Sequence, residues 1–316
     1  MKKLLPLLIL TLVFSTTLCF SQDQEVIMTK KNISDTALVT TRTLLIPEPF
    51  DAQKVMLQLF PGKYYKLVEY KGNVINWSCK TCKPITYPDV NEDAVSAFPF
   101  KEGVSTRLIN IMDYQDSSGV RYKVMSFNHS VFDEEGNMTS RFTGGILGLA
   151  KFTSTPQGWK LRSYQPAIAA YGAFSQSPAP KLVMIGKDQY AFMLKHSNGG
   201  GGGPFDGAFF LIAGTGSSYQ QVMAAYGIER TAVSEEEALC DWTSTYSVPV
   251  SNKKYFRDIL ITTNGNYTAS DKNNLPEDVL KLVKNRKKGK FTMQQRYVYK
   301  AGKGYLLQGP AKATVD

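Results

Sequence analysis

The 316 residues contain two histidines, His129 and His196. Any histidine-dependent hydrolytic chemistry must therefore run through one of them, and a three-histidine metal site is impossible. His196 follows Tyr190, Phe192 and Leu194 at alternate positions and precedes a glycine run. That spacing places it at a sheet rim, where its chemical use is as a general base oriented by Asp206 or Asp188. The competing use is a strand-end histidine with one satisfied hydrogen bond. His129 shares a strand face with Phe127 and Val131 and has the same two uses. Neither has a nucleophile at an informative spacing. Gly214-Thr215-Gly216-Ser217-Ser218 lacks the G-x-S-x-G order and reads as a turn, and no H-E-x-x-H is present.

Cys79 and Cys82 form a C-x-x-C, with Cys240 left over. A redox catalyst needs the pair at a helix N-terminus, which lowers the thiol pKa. Here Lys83, Pro84, Tyr87 and Pro88 follow, and no helix starts that way. Haem attachment needs a histidine where Lys83 stands. Zinc would require Cys240 and a distant histidine to join the pair. The expectation is a local disulfide between Cys79 and Cys82, no metal and no cofactor.

Charge is unevenly spread. The formal total is +10, yet residues 251–316 alone carry +9. Lys281, Lys284, Arg286, Lys287, Lys288 and Lys290 fall within ten residues. They either complement the dipole of their own helix end or form an electrostatic footprint for an anionic partner. Anionic lipid and acidic glycan are the expected classes; nucleic acid is not expected of an exported chain. Carboxylates for glycoside chemistry occur at Asp133, Glu134, Glu135, Glu235, Glu236, Glu237 and Asp241. They lie in turn-like segments where solvated surface is the default. Trp242 and Tyr246 nearby have the shape of a sugar-stacking platform, or of core. Gly199–Gly203 lacks the Lys-Ser/Thr and following helix of a phosphate cradle, so it reads as a hairpin loop, with a glycan-contacting lid as the sharper alternative.

The elements that must position these groups are mostly strands. Gln189–His196 and Phe291–Lys300 alternate, the latter with Phe291, Met293, Tyr297 and Tyr299 on one face. Lys181–Ile185 pairs with the first of these through Gly186-Lys187-Asp188. Phe256–Thr263 ends at Asn264-Gly265, a hairpin signal. Asp51 caps a short helix running to Phe60, stopped by Pro61-Gly62. A second helix is expected near 275–288, with Asn274 as cap and Gly289 beyond its end.

At the start of the chain, Lys2 and Lys3 precede an apolar run from Leu4 to Phe14. This resembles a bacterial export signal cut near Ser21/Gln22, and the apolar run is too short to span a membrane. The fold expectation is mainly β (α+β): antiparallel, hairpin-rich sheets in a sandwich-like, barrel-like or propeller-like arrangement. The expected organisation is a signal peptide at 1–21, a β-rich part at 22–165 carrying the cysteine loop, and a β-rich part at 166–316 carrying the basic helix. The expected function is an exported (periplasmic or secreted), non-enzymatic binding or structural protein of the cell envelope. It would dock on an anionic envelope component through the basic C-terminal region. The alternative is a hydrolase on envelope glycan or lipid that uses His196 with Asp206.

Overall fold

The computed structural model describes residues 27–67, 72–91, 95–138, 141–200, 203–215, 218–231 and 240–316. The expected export signal and the run Glu235, Glu236 and Glu237 lie outside the described residues. Of the described residues 57% are in strands and 8% in helices, which makes the fold mainly β with curled antiparallel sheets.

The first sheet contains β1 (Lys31–Asn32), β2 (Leu45–Ile46), β3 (Lys63–Lys66) and β4 (Asn73–Ser78). After a separate hairpin of β5 (Ile85–Pro88) and β6 (Val95–Phe98) come β7 (Val104–Gln115), β8 (Arg121–Val131), β9 (Gly145–Thr155) and β10 (Gly158–Tyr171). The spatial order is β1-β4-β7-β8-β9-β10-β2, with β3 also on β4, and the last four long strands form a meander. The second sheet runs in chain order: β11 (Lys181–Gly186), β12 (Gln189–Gly199), β13 (Phe205–Thr215), β14 (Ser218–Thr231), β15 (Asp241–Ser247), β16 (Ile259–Thr268), β17 (Lys288–Lys300) and β18 (Gly304–Leu307). A last strand, β19 (Lys312–Val315), joins it beside β17.

Turn chemistry sets this meander. At β7–β8, one Asp116 carboxylate oxygen accepts from the Ser118 and Val120 amides, and Gly119 takes a positive φ. At β11–β12 the expected Gly186-Lys187-Asp188 hairpin forms, with Asp188 at positive φ. Alternation along β12 puts Phe192, Leu194 and His196 on one face and Ala191 and Met193 on the other, as its period of two requires.

The two sheets stack. Met112, Val124, Leu147, Leu149 and Tyr171 of the first share one buried cluster with Phe192, Leu194, Phe210 and Ile212 of the second. The opposite face of the first sheet is covered by helix α1 (Ala52–Leu59), whose Val55, Met56 and Leu59 join Trp77, Phe127 and Phe152. Asp51 caps this helix by accepting from the Lys54 amide at 3.1 Å, as the sequence suggests. The second sheet curls into a half-barrel around Ile185, Met193, Leu211, Ile261 and Tyr305. Its curl is held by hydrogen bonds from the Lys187 amide to the Lys254 carbonyl and from the Arg257 amide to the Ile185 carbonyl. Among the described residues no helix is long and apolar enough to cross a membrane.

Two sequence expectations are corrected. The Asn264-Gly265 pair makes no hairpin, because β16 runs straight through it to Thr268. The glycine is there for close approach: a side chain at 265 would meet the Asp241 carbonyl, Trp242 Cβ and the Phe291 ring. The helix near 275–288 shrinks to α2 (Glu277–Leu280). Asn274 ends a 3-10 helix instead of capping an α-helix, and the chain leaves at Lys288 to pair with Thr268. The neighbouring core receives Leu275, Val279 and Val283, with Leu280 packed beside them, and strand pairing overrides local helix preference over the rest of the stretch.

Candidate functional site

Strand register gathers the groups that sequence separates. Asn198 on β12 faces Asp206 on β13, and His196 faces Ala208, which in turn faces Tyr226 on β14. Across from this row, Val90, Asn91 and Phe142 come from the first sheet's loops, bordering an open cleft of about 530 Å³. His196 is 8% exposed and borders that space, yet no described residue hydrogen-bonds either ring nitrogen. Burial lowers its pKa while Asp89 works in the opposite direction, so the ring is neutral at neutral pH. Asp206 shares the cavity but is held 3.4 Å from Arg230. Asp188, the other candidate partner, accepts from Ser117 in the turn at the far end of β12.

A polar network that sequence pattern does not reveal stiffens this junction. One Asp89 oxygen accepts from the Asn91 amide and side chain, the other from the Gly144 amide. Asn91 also donates to the Gly172 carbonyl and accepts from Asn198 at 2.8 Å. Asp89 and Asn91 are both 5% exposed, and buried polar groups of this kind specify a geometry when every member is bonded. A second cavity, of about 700 Å³, adjoins the first at Val90 and Tyr226 and is bordered by Tyr87, Gln165, Gln220 and Gln221.

Elsewhere the candidates resolve into separate roles. Cys79 and Cys82 are disulfide-bonded three residues apart. Cys240 is buried in a different cluster beside Trp242 and Val279, where burial pushes its thiol pKa up. Among the described residues no three His, Cys, Asp or Glu side chains form a metal-holding group. Replacing both Cys79 and Cys82 by serine is expected to lower stability by about 2 kcal/mol, the constraint of a very short closed loop. Urea midpoints of oxidised parent and double variant check this. Gly199 and Gly200 lead a hairpin loop on the cavity rim, where Arg141 donates to the Gly200 carbonyl. Asp133 stabilises its own turn through the Glu135 and Asn137 amides, and exposed Glu134 and Glu135 flank it. Trp242 is 6% exposed and donates to the Gly227 carbonyl, while Tyr246 packs on Phe209. These two aromatics are packing residues.

The basic window lies on the rim and outer face of the second sheet. Lys281 is paired with Glu277 at 2.8 Å. Lys284, Arg286, Lys287, Lys288 and Lys290 are exposed, and none of them has a carboxylate partner among the described residues. Along β17 the outward side chains Lys288, Lys290, Thr292, Gln294 and Arg296 stand beside Asn266, Asn264 and Thr262 of β16. Thr314 and Lys312 of β19 extend the same rows. The face is polar, with Lys288 and Lys290 at one end and Lys312 and the Asp258-paired Arg296 towards the other. Comparison with protein-family models, with curated proteins and with solved structures finds no match.

Proposed function

We propose that the protein is an exported, non-enzymatic binding module of the cell envelope that docks on an anionic envelope component, an acidic lipid headgroup or acidic glycan, through its C-terminal basic region. The observation that supports this most directly is the set of five exposed cations, Lys284, Arg286, Lys287, Lys288 and Lys290, without a described carboxylate partner. A cation already paired, as Lys281 is, contributes little to a partner; an unpaired one keeps its full long-range field. The neighbouring sheet face of Thr, Asn and Gln offers no apolar patch that would turn such a contact into a hydrophobic one.

The test is co-sedimentation of the chain beginning at Gln22 with anionic and with neutral phospholipid vesicles across a salt titration. Each lysine or arginine near an anionic surface is worth about 1 kcal/mol. Replacing Lys287 and Lys288 by glutamine is therefore expected to weaken binding roughly thirtyfold. Binding should also fall as salt shortens the screening length. Equal affinity for neutral and anionic vesicles, or insensitivity to salt, refutes lipid docking.

A second reading, a hydrolase on envelope glycan or lipid, has one observation in its favour: neutral His196 borders a cavity that it shares with Asp206. Asp206 is tied to Arg230 at 3.4 Å, which suits a positioning role better than that of a proton donor.

A further inference from the structure

The docking face lies on the outer surface of the second sheet and leaves the cleft between the sheets unused. That cleft joins cavities of about 700 and 530 Å³ at Val90 and Tyr226, each within the size range of small-ligand sites. Tyr226 is 67% exposed, and it stands where both cavities meet. A β-bulge follows it at Gly227, whose φ is +68°, and bulges of this kind re-aim the neighbouring side chain. A large aromatic ring this open to solvent, with only its edge against Phe210, is unusual in a sheet that buries most of its aromatics.

Around this ring the chemistry is amide-rich. Gln220 and Gln221 border one side and Asn198 the other; Gln221 accepts from Tyr171 and Asn198 donates to Asn91, which leaves their remaining amide N–H groups and lone pairs for a sugar hydroxyl. Charge is already committed: Asp89 to Asn91 and Gly144, Asp206 to Arg230. Among the described residues the lining has no lysine or arginine to hold an anionic ligand. His196 adds an independent sign. It is more than nine-tenths buried and borders the cavity with both ring nitrogens unbonded by described residues.

We propose that the inter-sheet cleft binds an uncharged oligosaccharide, with Tyr226 stacking on one sugar ring between two subsites and His196 hydrogen-bonding a hydroxyl in the smaller one. The apolar C–H face of a pyranose matches the negative face of an aromatic ring, and the surrounding hydroxyls match the amides. This site is independent of the basic face, so either can fail without the other.

The experiment is calorimetric titration of the mature chain with cellohexaose, chitohexaose, maltohexaose and an acidic uronic-acid hexamer. Binding of at least one neutral oligomer is expected, with affinity cut about tenfold or more by Tyr226→Ala and retained in Tyr226→Phe. His196→Gln should weaken the same binding, and Lys287→Gln with Lys288→Gln should leave it unchanged. Tyr226 is exposed, so its removal leaves the core packed and loss of binding cannot be assigned to unfolding. The proposal is overturned by absence of binding to every neutral oligomer, by binding that Tyr226→Ala does not alter, or by binding confined to the acidic hexamer.

Discussion

Phe210→Ala is expected to lower the free energy of unfolding by about 3–5 kcal/mol. Phe210 has no exposed surface and sits in the cluster that both sheets share. Its ring centroid lies 5.4 Å from Tyr171 of the first sheet and 5.8 Å from Tyr226 of its own. Truncation loses the transfer free energy of the ring and leaves a cavity that two hydrogen-bonded sheets are poorly able to close. The contrast is Phe142→Ala. Phe142 is 48% exposed on the cleft rim, and its loss should stay within about 0.5 kcal/mol. Urea unfolding followed by far-ultraviolet circular dichroism and by tyrosine fluorescence measures both. A Phe210→Ala effect below about 1 kcal/mol would show that the sheets do not depend on their shared layer. Two separated transitions in the variant, against one in the parent, would show that this layer is what couples them.

Much of this layering is legible in the sequence, because one face of each strand must meet a core. The alternation of Tyr190, Phe192, Leu194 and His196, and of Phe291, Met293 and Tyr297, gives the strands and their inward faces correctly. Asp51 is equally readable, since a cap acts within three residues of itself. Failures come where distant pairing outweighs a local signal. Asn264-Gly265 carries a strong turn preference, but β15 and β17 flank it on both sides and leave no room for a reversal. The stretch at 275–288 has helical composition, yet Lys288 gains more from its ladder with Thr268. The change from first to second sheet falls between Tyr171 and Lys181, because β10 continues through the expected division at 165/166 to Tyr171.

The site is less legible for the same reason. His196 and Asp206 are ten residues apart across a glycine loop, and only the hairpin register brings them to one cavity. Asp89 and Asn91 lie in a segment without periodicity, where nothing marks an Asp-x-Asn as the buried link between two sheets. Tyr226 is one of seventeen tyrosines, and its exposure depends on a bulge that glycine at 227 permits. The signal available for that bulge is a lone glycine inside an otherwise regular strand.

The other histidine carries the second large effect, through pH. His129 is fully buried between Phe60, Phe98 and Phe127, and its tautomer is fixed by what surrounds it. The Trp77 indole N–H donates to Thr106 Oγ1 at 2.7 Å, and the Thr106 hydroxyl donates to His129 Nδ1 at 2.8 Å. His129 Nε2–H donates to the Pro166 carbonyl at 3.0 Å, an atom that only accepts. A second proton on Nδ1 would face a hydroxyl already receiving the indole N–H, with no described counter-charge acting on the ring. Burial accordingly lowers the imidazole pKa from 6.5 to about 3, with the Pro166 bond opposing the shift. In the unfolded chain the same ring titrates near its ordinary value. Between those two values the unfolded state binds a proton that the native state refuses. Stability is therefore full above about pH 6.5 and falls by about 1.4 kcal/mol per pH unit below it. The fall levels off near pH 3, after a total of roughly 5 kcal/mol from this group. His129→Gln keeps a donor for Pro166 and cannot titrate, so its stability at pH 7 should be lower while its slope between pH 6 and pH 4 is shallower. Urea unfolding of parent and variant at those pH values decides the matter, and parallel slopes would mean that the acid sensitivity arises elsewhere.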